Sequence, residues 1–179
     1  MGVGVGTQGG FINLLAADYR SRTGSNPVAP TKCEVTMFDC LILGDSIAVG
    51  THKFMPDCIS LAKGGINSWQ WNKMYGDRPS ATDISYNKVV ISMGSNDHSG
   101  VNTLKELEKL RATIHGKKVY WIMPAGNLKA SYVPIEKIQD IVMKIAMYNN
   151  DSIVYIKDLS SDKIHPTTNG YKKIAAEAQ

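Results

Sequence analysis

The 179-residue chain carries 20 Lys and Arg against 16 Asp and Glu, a net charge of +4, with 43% hydrophobic and 20% charged residues. This composition fits a soluble globular chain able to bury its own core, and no apolar run is long enough to cross a bilayer, so integral membrane contact is not expected. The lysines are scattered, with Lys117-Lys118 and Lys172-Lys173 the only adjacent pairs, and a nucleic-acid partner, which would call for a concentrated basic stripe, is not expected either.

Residues 1–36 read as a separate leader or linker. It is glycine-rich from Met1 to Gly6 and ends in the turn-forming run Thr23-Gly24-Ser25-Asn26-Pro27-Val28-Ala29-Pro30. Only residues 11–19 could form a short helix there. An adaptor, an arm docking to another protein and a flexible leader are all open readings. No signal peptide is visible, because a basic n-region and a sustained apolar stretch are both missing; a cytoplasmic protein, a trimmed chain and export by a non-Sec route all fit. Cys33, Cys40 and Cys58 are odd in number and at no metal-ligand spacing. Idle or buried thiols are expected, with a Cys40–Cys58 bridge conceivable in an oxidising compartment if the two lie on neighbouring strands.

From residue 37 onward, short apolar runs alternate with amphipathic stretches, the pattern of an α/β fold with a parallel sheet. Strands are expected at 37–43, 58–62, 88–93, 118–123 and 152–156. The first runs into Gly44-Asp45-Ser46, after which Ile47, Ala48 and Val49 suit the start of a helix. Between the third and fourth strands, Thr103 and Glu106 form a capping-box pattern ahead of Leu104, Leu107, Leu110 and Ile114 at helical spacing. Pro134 is placed to open a further helix with Ile135, Ile138, Ile141, Val142 and Ile145 on one face, and Tyr171, Ile174, Ala175 and Ala178 stripe a last one.

Four strand-end stretches hold most of the small polar residues: Gly44-Asp45-Ser46, residues 63–68 around Gly64-Gly65, Gly94-Ser95-Asn96-Asp97, and residues 161–166 with Asp162 and His165. Ligands of open α/β sheets bind at such ends. A serine hydroxyl is a weak nucleophile unless a base stands within hydrogen-bond reach and a third group fixes that base's tautomer. Asp162 and His165, three residues apart, can supply both, and Pro166 keeps the backbone of His165 extended. The N–H groups of Ser46 and Gly65 and the amide of Asn96 are available for a developing oxyanion. Taken singly, each has a plainer reading: Asp45 or Ser46 as a helix cap, Gly65, Asn96 and Asp97 as turn or cap residues, Asp162 as a loop carboxylate. What the plain readings leave unexplained is the succession of all four at consecutive strand ends.

These stretches resemble the blocks of the SGNH hydrolases, the GDSL esterase and lipase family. Gly44-Asp45-Ser46 matches the first block, with Ile47 where the family's name has leucine; Gly65, rather than Gly64, looks like the second-block glycine, although Ala62 and Lys63 stand where an asparagine often precedes it. Gly94-Ser95-Asn96-Asp97 matches the Gly-x-Asn-Asp block and residues 162–166 match Asp-x-x-His-Pro. The resemblance covers residues 37–179. It implies a three-layer α/β/α, flavodoxin-like five-stranded parallel sheet, with Ser46 as nucleophile, His165 as base and acid, Asp162 as its orienting carboxylate, and Ser46, Gly65 and Asn96 as the oxyanion hole. It also implies no cofactor and no metal. The expected activity is hydrolysis of carboxylic esters through an acyl-enzyme, on a small-molecule or glycan ester such as an acetylated polysaccharide; a lysophospholipase or thioesterase, or a non-catalytic module holding a glycan or phosphate, are the alternatives.

Other patterns point elsewhere and fall short. Gly44 to Lys53 lacks the lysine directly after Gly50 that a phosphate-binding loop needs, and Ala48 breaks a Gly-x-Ser-x-Gly elbow. His98 has no carboxylate at the Asp-x-x-His spacing, and His52 and His115 read as helix-surface residues. Trp69 and Trp71, following Gly65, suit either a pocket wall or packing on the sheet.

Overall fold

The computed structural model describes residues 36–79, 84–127 and 131–179. The expected helix at 11–19, the docking arm and Cys33 lie outside those residues. Among the described residues five strands and five helices alternate: β1 Thr36–Gly44, α1 Ser46–His52, β2 Ile59–Ala62, α2 Ser68–Tyr75, β3 Ile84–Ser92, α3 Thr103–Ala112, β4 Gly116–Met123, α4 Ile135–Tyr148, β5 Ser152–Tyr155 and α5 Thr168–Glu177. The strands form one sheet in the order β2-β1-β3-β4-β5, every neighbouring pair parallel.

The strands can be near-continuously apolar because both faces of the sheet are covered. Side chains alternate across a strand, so Leu41 and Leu43 of β1 enter one core with Trp71, Leu107, Leu110, Ile138 and Val142, whereas Cys40 and Ile42 enter the other with Ile47, Ala48, Ile174 and Ala175. Helices α2, α3 and α4 thus layer one face and α1 and α5 the other, giving the three-layer α/β/α sandwich expected from the sequence.

Several local features differ from expectation. β3 begins at Ile84, four residues before the expected start, pairing Ile84-Ser85-Tyr86 with Thr36-Met37-Phe38 of β1; its alternation with polar residues hides it among turn-like ones. Helix α2 was not foreseen: only Trp71 among its apolar residues is fully buried, and with Tyr75 one turn later it makes a stripe of a single turn. What fixes it is a capping box: Asn67 accepts from Gln70 N at 2.8 Å while the Gln70 side chain accepts from Asn67 N at 3.1 Å. At α3 the cap is Asn102, which accepts from Lys105 N at 3.2 Å, while Thr103 is buried in the first turn and Leu104 is 42% exposed rather than part of the core stripe. Pro134 is the N-cap of α4. His115 lies in the turn before β4 and not on a helix.

The expectation of idle thiols is also corrected. Residues 41–44 pair in register with 59–62, and one step further back Cys40 faces Cys58, with Cα atoms 4.5 Å apart, joined by a disulfide. The bridge closes a loop across 18 residues of sequence separation. Replacing both cysteines by serine is expected to cost about 3 kcal/mol and lower Tm by roughly 6–12 °C, measured by thermal unfolding with and without reductant; an unchanged Tm would show that the bridge adds nothing.

β1 connects outward to β2 on one side while β3 connects outward to β4 on the other. That reversal opens a crevice at the carboxyl ends of β1 and β3. Gly44 closes the floor of this crevice. Its φ is +136°, and a Cβ there would lie 1.8 Å from Ser92 O, so only glycine allows β1 and β3 to meet as they do.

Candidate active site

Ser46 is the first residue of α1. Asp45 caps that helix, its Oδ1 accepting from Ile47 N at 2.9 Å and from Ser92 Oγ at 3.0 Å. The hydroxyl of Ser46 faces the loop between β5 and α5, where Ser46 Oγ and His165 Nε2 stand 2.8 Å apart. On the other side of the ring, His165 Nδ1 lies 2.6 Å from Asp162 Oδ2. The sequence-predicted Ser46, His165 and Asp162 therefore form one hydrogen-bonded line across two loops.

The loop holds this line through its own bonds. Leu159 and Pro166 form a bridge, Ser160 N donates to His165 O at 2.8 Å, and Lys163 takes a positive φ of 59° that turns the chain between Asp162 and His165. Asp162 Oδ1 accepts from Ser160 Oγ (2.7 Å), Ile164 N (2.9 Å) and His165 N (2.9 Å). The His165 side chain foremost, and then these donors, hold the Asp162 carboxyl well below the usual carboxylate range. This holds although the Asp162 side chain is 47% exposed and that of His165 39%.

Gly65, in the loop after β2, adopts φ +73°, where a side chain would be strained although the space is open. A Cβ on Gly64 would lie 4.0 Å from Ser46 Cβ, so this loop borders the serine. Asn96 Nδ2 donates to Ile66 O at 3.2 Å, which anchors the amide to the same loop and leaves its second N–H for another acceptor. Among the described residues, neither Ser46 N nor Gly65 N has an acceptor. At Ser46 that follows from its place in the first turn of a helix.

Two loops of the crevice are tied by a residue that the sequence showed as a turn or cap and as the last of the Gly-x-Asn-Asp block, without a role of its own. Asp97 is fully buried, and its carboxylate takes Ser68 N at 2.8 Å and Ser68 Oγ at 2.6 Å, joining the loop after β3 to the start of α2. Burial raises its pKa against those donors. Ser160 and Ser92 were likewise missed, since a lone serine near a strand end carries no pattern of its own. His98 turns into its own loop, with Nδ1 accepting from Gly100 N at 3.1 Å. Of the two tryptophans in question, Trp71 belongs to the core and Trp69 is exposed. A groove of about 810 Å³, lined by Ser99, Leu104, Tyr132, Ile138 and Lys144, includes none of Ser46, Asp162 or His165. No group of three or more His, Cys, Asp or Glu among the described residues is placed to hold a metal.

Asp45 brings a pH-dependent cost to the turn between β1 and α1. It is completely buried, Oδ2 has no hydrogen-bond partner, and burial pushes its pKa from 3.8 up to about 6. Between those values only the unfolded chain releases the proton, so the contribution is fully present below 3.8 and is lost as pH rises through about 6. Asp45→Asn is expected to remove that limb: its stability should fall less than that of the wild type between about pH 4 and 7, by up to about 3 kcal/mol. Paired urea titrations across that range check it, and identical pH dependence would refute it.

No protein-family model and no curated protein sequence matches the chain. Solved structures do. A lipase/acylhydrolase from Enterococcus faecalis aligns with a TM-score of 0.58 at 17% identity, over 78% of this chain and 92% of the other. The C-terminal catalytic domain of peptidoglycan O-acetyltransferase A from Streptococcus pneumoniae, in a structure with a methylsulfonyl adduct, aligns at 0.59 and 17% identity, over 79% and 92%. A carbohydrate acetylesterase from Sinorhizobium meliloti aligns at 0.54 and 12%, over 79% and 96%. These likenesses establish a shared fold.

Proposed function

We propose, from the SGNH-hydrolase fold that this chain has, that it is a serine ester hydrolase working through an acyl-enzyme. The observation that carries the proposal is the line Ser46 Oγ to His165 Nε2 to Asp162, at 2.8 and 2.6 Å. Ser46 Oγ attacks the ester carbonyl carbon while its proton passes to His165 Nε2. The tetrahedral intermediate collapses, the ester C–O bond breaks, and His165 returns the proton to the departing alcohol. Water then repeats the sequence on the acyl-enzyme, releasing the acid and restoring Ser46. Asp162 keeps the Nδ1 proton in place and stabilises the imidazolium. Ser46 N–H, Gly65 N–H and the free N–H of Asn96 receive the oxyanion, and Asp97 positions the last two by holding the α2 end of the glycine loop.

The substrate we favour is a short acyl group, such as acetyl, on a glycan. An alcohol admitted in place of water would turn the same steps into acyl transfer, a reading favoured by the likeness to the pneumococcal transferase domain. The deciding experiment is labelling with a fluorophosphonate, read by intact mass and peptide mapping, together with turnover of p-nitrophenyl acetate and longer-chain esters. A single adduct on Ser46 with turnover is expected. A chain inert to the probe and to every ester would be a binding module instead, and a preference for long acyl chains or thioesters would favour the lysophospholipase or thioesterase alternative.

A further inference from the structure

Two of the chain's three tryptophans are closed off: Trp71 and Trp121 are fully buried, and their indole N–H groups donate to Leu61 O (2.8 Å) and Asp151 Oδ2 (2.9 Å). Trp69 differs in every respect. It is 48% exposed, its Nε1 meets no acceptor among the described residues, and Lys73 Nζ stands over its ring, 5.1 Å from the centroid. Leaving so much indole in water forgoes burial that the core could have used.

Its location gives that exposure a use. Trp69 is the second residue of α2, and the start of α2 is fixed to the crevice by the paired bonds from Ser68 to Asp97. Trp69 follows directly on the stretch 64–67, whose Gly64 borders Ser46 and whose Ile66 carbonyl holds Asn96. Lys73, one turn later, braces the ring. Gln70, next to it in the chain, and Lys63, at the start of the glycine loop, are exposed and polar. A flat aromatic face with a free N–H and polar neighbours matches a pyranose ring, whose C–H face stacks on an aromatic while its hydroxyls hydrogen-bond at the edge. An acyl chain would instead ask for an enclosed apolar slot.

We infer that Trp69, braced by Lys73, is the platform for the sugar ring that bears the ester, making the substrate an O-acylated glycan. The inference rests on Ser46 acting as nucleophile. It is tested with wild type, Trp69→Ala and Trp69→Phe on p-nitrophenyl acetate and on a panel of O-acetylated xylo- and chito-oligosaccharides. Trp69→Ala should lower kcat/KM for the oligosaccharides about tenfold, mostly through KM, as expected on losing an aromatic contact. Its turnover of p-nitrophenyl acetate should stay at the wild-type level, and Trp69→Phe should recover most of the loss. Equal effects on both substrate types, no effect on either, or a wild type active on p-nitrophenyl acetate but on none of the panel would each overturn the platform. A wild type inert to p-nitrophenyl acetate as well would instead overturn the esterase reading on which it stands.

Discussion

Ser46→Ala is expected to lower kcat for p-nitrophenyl acetate by ~10⁴-fold or more while leaving the thermal unfolding curve in place. The two halves of that expectation have one origin. Ser46 Oγ has His165 Nε2 as its hydrogen-bond partner, so removing the hydroxyl breaks no bond that holds β1 to α1. Asp45, through Ile47 N and Ser92 Oγ, keeps the turn closed in the variant. What disappears is the atom proposed to attack the ester. His165→Ala should cost about as much, and the double variant hardly more, because residues that act as one unit give strongly non-additive losses. Turnover of Ser46→Ala within tenfold of wild type would reject Ser46 as the nucleophile.

The second large effect is expected at Asp162, where the asparagine variant is the informative one. In many sites an amide in place of a carboxylate can rotate to present either end, but here the rotation is decided in advance. Oδ1 receives three donors, Ser160 Oγ, Ile164 N and His165 N, so the amide oxygen of Asp162→Asn must stay there. The amide NH₂ then faces His165 Nδ1 and donates to it. That locks the imidazole with its proton on Nε2, pointing at Ser46, and removes the lone pair that must accept the serine proton. A fall in kcat of roughly 10³- to 10⁴-fold is expected, with fold and KM little changed. Asp162→Ala should be milder, because it loses the orienting charge without imposing the wrong tautomer. Comparing the kcat values of the two variants checks this: an asparagine variant as active as the alanine one would mean that the ring tautomer is not governed from position 162.

The parallel sheet was legible because buried strands are written as apolar runs, as in Leu41-Ile42-Leu43 and Val89-Val90-Ile91. Strand-end loops were legible because Gly44 and Gly94 interrupt those runs abruptly. What stayed hidden had local polar causes. Helix α2 rests on a reciprocal Asn67–Gln70 cap and a tie from Ser68 to a carboxylate 29 residues away, and no periodicity announces either. The start of β3 is half-buried, so Asn87 and Ser85 dilute its pattern, and Leu104 sits at helical spacing yet stays exposed, lining the groove that α4 also lines. Around Ser46, the sequence offers residue types at successive loops. Which atom faces which, and that Asp162 Oδ1 is saturated while Oδ2 is left for the ring, exist only in three dimensions.

The disulfide and the sheet order divide the site's partners between unequal surroundings. Ser46 follows β1, which is paired on both sides and cross-linked through Cys40 to the approach of β2. Asp162 and His165 follow β5, a strand of four residues that borders the sheet and pairs with β4 alone among the described strands. Hydrogen bonds at such a border open at lower free energy than those at the centre. Ser46 is thus tied to the middle of the sheet, and the His165 proposed to take its proton to a strand at the border. If the proposed chemistry holds, inactivation by heat or urea would run ahead of the loss of the sheet and reverse on cooling or dilution, as His165 returns to a Ser46 that kept its place.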